Sequence, residues 1–107
     1  MQEKKVFDQS RMNAFMEKMI GIYNAGALNL MISIGHRTGL FDTMAGISPS
    51  TSEQIAAEAK LNERYVREWL GAMVTGRVID YNPEDRTYFL PSEHAAFLTR
   101  AATPKNL

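Results

Sequence analysis

The sequence predicts a mainly α fold with one small β-hairpin, a winged helix-turn-helix carrying additional N-terminal helices. Three observations lead there. Residues 61–82 read LNERYVREWLGAMVTGRVIDYN, in which Val66, Trp69, Leu70, Met73 and Val74 recur at helical spacing. A short helix with a marked start precedes this run, across a tight turn at Lys60, Leu61 and Asn62. Two short β-prone runs follow it and flank NPEDR. Short helix, turn, longer helix and hairpin, in that order, compose the fold.

Each element has its own warrant. Within 6–23, Met12, Phe15, Met16, Met19 and Tyr23 form one apolar stripe of an amphipathic helix. Gly21 and Gly26 loosen its end and allow a bend or break. Over 26–38, Ala27, Leu28, Leu30, Met31, Ile32 and Ile34 surround nearly the whole circumference. Only Asn29, Ser33, His36 and Arg37 make a polar strip, so this helix is expected to be covered on most sides. Gly39 stands where a left-handed residue ends it, and Leu40 and Phe41 turn back into the core. Next, Ser50 with Glu53, or Thr51 with Gln54, has the spacing of a capping box. Ile55, Ala56 and Ala59 face inward, Asn62 caps the following helix, and Gly76 closes it. Val78–Tyr81 and Thr87–Leu90 are the hairpin strands, with Asn82 and Pro83 opening a type I turn. Residues 92–98 make a last short capped helix.

At 107 residues the chain is the size of one domain. Twelve basic and twelve acidic side chains cancel, so no polyanionic partner is implied. The absence of cysteine excludes disulfides and thiolate zinc sites and fits a reducing cytoplasm, the expected location. MQEKKVFDQS has no apolar run to make a secretory signal, and ALNLMISIG is about half a membrane span, so no membrane partner is expected.

The alternative function for this shape is a DNA-binding transcriptional regulator, and charge argues against it. From Ser52 to Leu90 five basic residues stand against seven acidic ones, a net charge of −2. DNA affinity rests largely on neutralised phosphates. Arg64 and Arg67 are therefore expected to be solvated or paired with Glu63 and Glu68, and no nucleic acid is expected. Neither His36 nor His94 has a second ligand at dependable spacing, so no metal is expected. His94 beside Glu93 has the makings of a general base but reads as a surface residue at a helix start. Trp69 reads as core, and Tyr81, Tyr88 and Phe89 as cross-strand packing.

Four motifs carry a resemblance: GLFD at 39–42, NERYVREWL at 62–70, the apolar-Asp-Tyr start of the wing, and LPSEHAAFL at 90–98. Through them the stretch from Ala27 to Leu98 resembles the N-terminal winged-helix domain of small-molecule methyltransferases that use S-adenosylmethionine, in the bacterial-type class I branch. The resemblance implies a non-catalytic domain that pairs subunits as a homodimer through its N-terminal helices and encloses a small-molecule acceptor. Phe15, Met16, Met19 and Tyr23 are the candidates for acceptor contact, with Tyr23 offering both a ring and a hydroxyl. The favoured reading of the same stripe is ordinary core or dimer interface. In the family a Rossmann-like domain follows and binds S-adenosylmethionine. None of the seven glycines here makes a strand-then-GxGxG loop, so this chain is expected to bind no cofactor and to supply no catalytic residue. Thr103 and Pro104 open a helix just before the sequence stops. The chain thus reads as a piece of a longer protein: 1–25 an N-terminal helix, 26–98 the winged-helix core, and 99–107 the start of a linker to a catalytic domain.

Overall fold

The computed structural model describes residues 6–100, so the helix opening at Thr103 and all but the first two residues of the expected linker lie outside them. The first helix, α1, runs unbroken from Gln9 to Thr38. At about 1.5 Å per residue it is roughly 45 Å long, which accounts for much of the molecule's 67 Å length. The break expected near Gly21 and Gly26 does not occur. Each glycine costs a helix interior about 1 kcal/mol, a local penalty that a long cooperative helix absorbs. Asp8 starts it, its carboxylate accepting from the Ser10 hydroxyl at 2.8 Å and from the Arg11 N–H at 3.2 Å. Those donors, the hydroxyl first, hold the Asp8 carboxyl below its ordinary pKa. Gly39, at φ 78°, ends the helix as expected.

Leu40 and Phe41 enter the core on a short helix of their own, α2 (Leu40–Ala45), where Met44 joins them. α3 (Ser52–Ala59) begins with the Thr51–Gln54 capping box, which resolves the register that the sequence left open. α4 (Glu63–Thr75) is capped by Asn62, whose Oδ1 accepts from Arg64 N and Tyr65 N at 2.9 and 3.4 Å. Gly76 follows it with φ −80°, and Arg77 takes the left-handed position instead, at φ 62°. Gly76 lies beneath Leu28 of α1: a Cβ there would stand 2.7 Å from Leu28 Cδ1.

The wing is shorter than the sequence suggests. β1 (Asp80–Asn82) pairs antiparallel with β2 (Thr87–Phe89), setting Asp80 opposite Phe89, Tyr81 opposite Tyr88, and Asn82 opposite Thr87. Ile79 lies ahead of the ladder and is buried in the core. Ser50 exchanges both backbone hydrogen bonds with Tyr88, at 3.1 and 2.7 Å, so the wing is tied to the loop that leads into α3. α5 (Ser92–Leu98) follows; Pro91 occupies its cap position, and no side chain supplies the cap expected there.

The core lies where α2, α3, α4 and the second half of α1 meet. Trp69 is at its centre, edge-on to Phe41 at 5.1 Å between ring centroids. Its indole N–H donates to the Met31 carbonyl of α1 at 2.8 Å, so the tryptophan's one polar atom is satisfied. α1 approaches this closely because residue 35 has no side chain. A Cβ on Gly35 would fall 2.4 Å from Trp69 Cζ2.

Candidate functional site

Successive residues of a helix are rotated by about 100°, which gives α1 two apolar faces. One carries Leu28, Met31 and Ile32 and packs on the core just described. The other carries Met12, Met16, Met19, Tyr23 and Leu30, separated by 4, 3, 4 and 7 positions. Steps alternating between three and four are those of a heptad seam, and Gly26 occupies the step between Tyr23 and Leu30. Phe15 and Ile22 flank this seam on one side and Ile20 on the other. Among the described residues, none covers it: Tyr23 is 66% exposed, Leu30 62%, Phe15 60% and Met16 47%. Met19 is half-buried. The structure thus brings Phe15, Met16, Met19 and Tyr23 together on one accessible face and places none of them in the core. The second half of α1, expected to be covered on most sides, is covered on one, with Leu30 and Ile34 left in solvent.

Beside the seam, α1 and α4 bound a groove of about 560 Å³. Asn24, Leu28 and Met31 form one wall, and Gly71, Ala72 and Thr75 the other. The small residues on α4 leave the groove open, a feature that the sequence shows only as an interrupted apolar stripe.

A second concavity, of about 370 Å³, lies between α3, α4 and the wing, on the side a groove-reading protein would turn toward its target. It holds Glu53, Glu63 and Asp85 against Arg67 and Arg86. Ser52, nearly buried, bridges Glu63 Oε2 at 2.7 Å and Glu53 Oε1 at 3.2 Å. Asp85 Oδ1 accepts from the Thr87 hydroxyl at 2.7 Å, fastening the wing tip. Arg67 pairs with Glu63 at 3.7 Å in the expected exposed ion pair, and Arg64 is exposed. Tyr81 and Tyr88 pack across the strands at 4.7 Å, as expected, whereas Phe89 is 39% exposed.

The histidines have structural surroundings. His94 Nδ1–H donates to the Val78 carbonyl at 2.7 Å, pinning α5 to the segment before β1. His36 lies in the last turn of α1. Among the described residues no group of three His, Cys, Asp or Glu side chains is placed to hold a metal, and no helix is long and apolar enough to cross a membrane. One residue that no local pattern marks makes several polar contacts at once: Arg100, with His36, Arg37 and Asp42.

These features define a winged helix-turn-helix module with an exposed apolar helix face. The chain belongs to the Rv2258c-like winged HTH domain family, whose model matches residues 26–100. Its fold is similar to that of the mitomycin 7-O-methyltransferase MmcR, with a TM-score of 0.74 and 18% identity over 92% of this chain. It is similar also to PigF, solved with SAH (TM-score 0.62, 26% identity, 94% of this chain), and to human N-acetylserotonin methyltransferase, solved with SAM (0.71, 14%, 94%). The chain spans 30% of the first two and 28% of the third. No curated protein matches the sequence.

Proposed function

We propose that this chain is the non-catalytic N-terminal domain of an S-adenosylmethionine-dependent methyltransferase, in which it pairs two subunits along α1 and helps to enclose a small-molecule acceptor. The observation that carries the proposal is the uncovered heptad seam of Met12, Met16, Met19, Tyr23 and Leu30. A large apolar side chain withdrawn from water contributes about 1.5–3 kcal/mol when fully buried, and association itself costs several kcal/mol. Several must therefore be buried together, and a continuous seam does this where scattered residues do not. Heptad spacing fits a helix as the covering partner, and a second copy of α1 presents the same seam in return.

Support for the methyltransferase setting comes from the fold, which the chain shares with part of two structures named as methyltransferases. Methyl transfer and S-adenosylmethionine binding would belong to the remainder of such a protein. This domain would contribute orientation and exclusion of water, which supply much of the acceleration in a displacement at a sulfonium methyl. Tyr23 and Phe15, with Met16 and Met19 between them, are the surface from which it would roof the acceptor.

The test is Tyr23→Ala in the longer protein, read as acceptor KM and kcat. A rise in acceptor KM with the dimer and S-adenosylmethionine binding both retained supports enclosure; unchanged acceptor kinetics leave subunit pairing alone. Salt-sensitive, sequence-specific binding of duplex DNA by this chain would instead favour a regulator, against the net −2 charge of the module that would meet the duplex.

A further inference from the structure

We propose that Arg100 is a latch, tying the point where the chain leaves the winged-helix fold to the C-terminal turn of α1. Arg100 Nε donates to the His36 carbonyl at 3.2 Å, and Nη2 to the Arg37 carbonyl at 2.7 Å. Its backbone N–H donates to Asp42 Oδ1 at 2.8 Å, while Asp42 Oδ2 stands 3.7 Å from Nε. The hydrogen-bonded partners lie 58 to 64 positions earlier in the sequence. All four contacts converge on the corner where α1 ends and α2 begins.

The residue type suits the task. Carbonyls in the last turn of a helix lack the usual partner four residues on and carry the negative end of the helix dipole; here the backbone gives His36 O only a long bond from the Gly39 N–H, at 3.3 Å. A planar guanidinium reaches two such carbonyls at once and brings a positive charge, whereas a lysine ammonium has no such fork. Asp42, the last residue of GLFD, completes the latch with one oxygen on the Arg100 backbone and the other toward its guanidinium. Arg100 and Asp42 are 55% and 35% exposed, so their ion pair alone holds little. The hydrogen bonds do the holding, two to fixed backbone carbonyls and one from the Arg100 N–H to Asp42.

Apart from the His94 bond to the Val78 carbonyl, α5 is held lightly: it has no side-chain cap, and Ala95 and Leu98, which pack it on the core, are only partly buried. Chain ends anchored so lightly fray unless tied down. The latch ties this end to α1, the helix that carries the seam. A domain attached beyond it would take its orientation from α1 instead of swinging on α5. That consequence rests on the methyltransferase reading; the latch itself does not.

Trypsin must draw an arginine side chain into its specificity pocket before cutting after it, so a latched Arg100 resists. Cleavage of this chain between Arg100 and Ala101 is expected to speed up about ten-fold in Asp42→Ala, which removes the acceptor of the Arg100 N–H, as the end opens more often, with cleavage after Arg64 in α4 unchanged. Equal rates at Arg100 overturn the latch. If the variant unfolds, cleavage after Arg64 accelerates as well, and the wild type then decides. Its Arg100 Nε–H should exchange with solvent more slowly than that of exposed Arg11, and equal exchange overturns the proposal. In the longer protein, Arg100→Lys should broaden the distance distribution between labels on α1 and the following domain while S-adenosylmethionine binding persists. Persistent binding with no broadening overturns the orientation; absence of binding in the wild type fails the methyltransferase reading and leaves the latch standing.

Discussion

At Gly35 a hydrogen atom is all that the packing admits. A Cβ would stand 2.4 Å from Trp69 Cζ2 and 2.7 Å from Phe41 Cε2, and both rings are buried and held edge to face. Gly35→Ala is therefore expected to cost about 2 kcal/mol through overpacking, read as a lower urea midpoint; an unchanged midpoint would mean that the rings yield freely. Tyr88 makes a different kind of prediction. Burial pushes its hydroxyl above the ordinary tyrosine range, and neighbouring Tyr81 adds to the shift. The neutral form is favoured in the fold, so this contribution to stability is intact below about pH 10 and is lost as pH rises through the raised value. An alkaline titration of the tyrosinate absorbance should show a late component that Tyr88→Phe lacks, and identical late limbs would contradict it. Trp69 was legible as core because its neighbours repeat at helical spacing. Gly35 was not, because its reason lies 34 positions away.

Among the elements, the caps were the most legible parts. Asn62 and the Thr51–Gln54 box act on backbone two or three residues away, so local sequence contains the whole interaction. α1 was misread at its middle because a glycine's penalty is local while a helix's cooperativity is not. Gly21 and Gly26, two of its three glycines, lie on different faces. Neither would meet any atom within 4 Å if given a Cβ, so Gly21→Ala should stabilise the helix by about 1 kcal/mol through propensity. Gly26→Ala offers the same gain but lies on the seam, where added bulk would separate paired helices. Gly21→Ala is expected to raise helicity and leave self-association intact, and Gly26→Ala to weaken it. Identical effects of both on self-association would mean that the seam touches nothing.

For the whole molecule, the fold was legible and the use of its surfaces only partly so. The order of elements fixed the winged helix-turn-helix, and the acidic wing could be counted directly from the sequence. The stripe at Met12, Phe15, Met16, Met19 and Tyr23 was visible too, but periodicity alone does not distinguish a core face from an uncovered one. That distinction needed α1 to be seen packing with its other side. The corner joining GLFD to Arg100 was not legible at all, since its partners are some 60 positions apart. What remains is a chain of 12.0 kDa with zero net formal charge and one long apolar face in solvent. Light scattering across a concentration series tests the account most directly. It predicts a mass of about 24 kDa, twice the 12.0 kDa chain, at the upper end, with Met16→Glu reduced to a single chain because burying its charge in the seam costs several kcal/mol. A wild-type mass of 12.0 kDa at every concentration would contradict it.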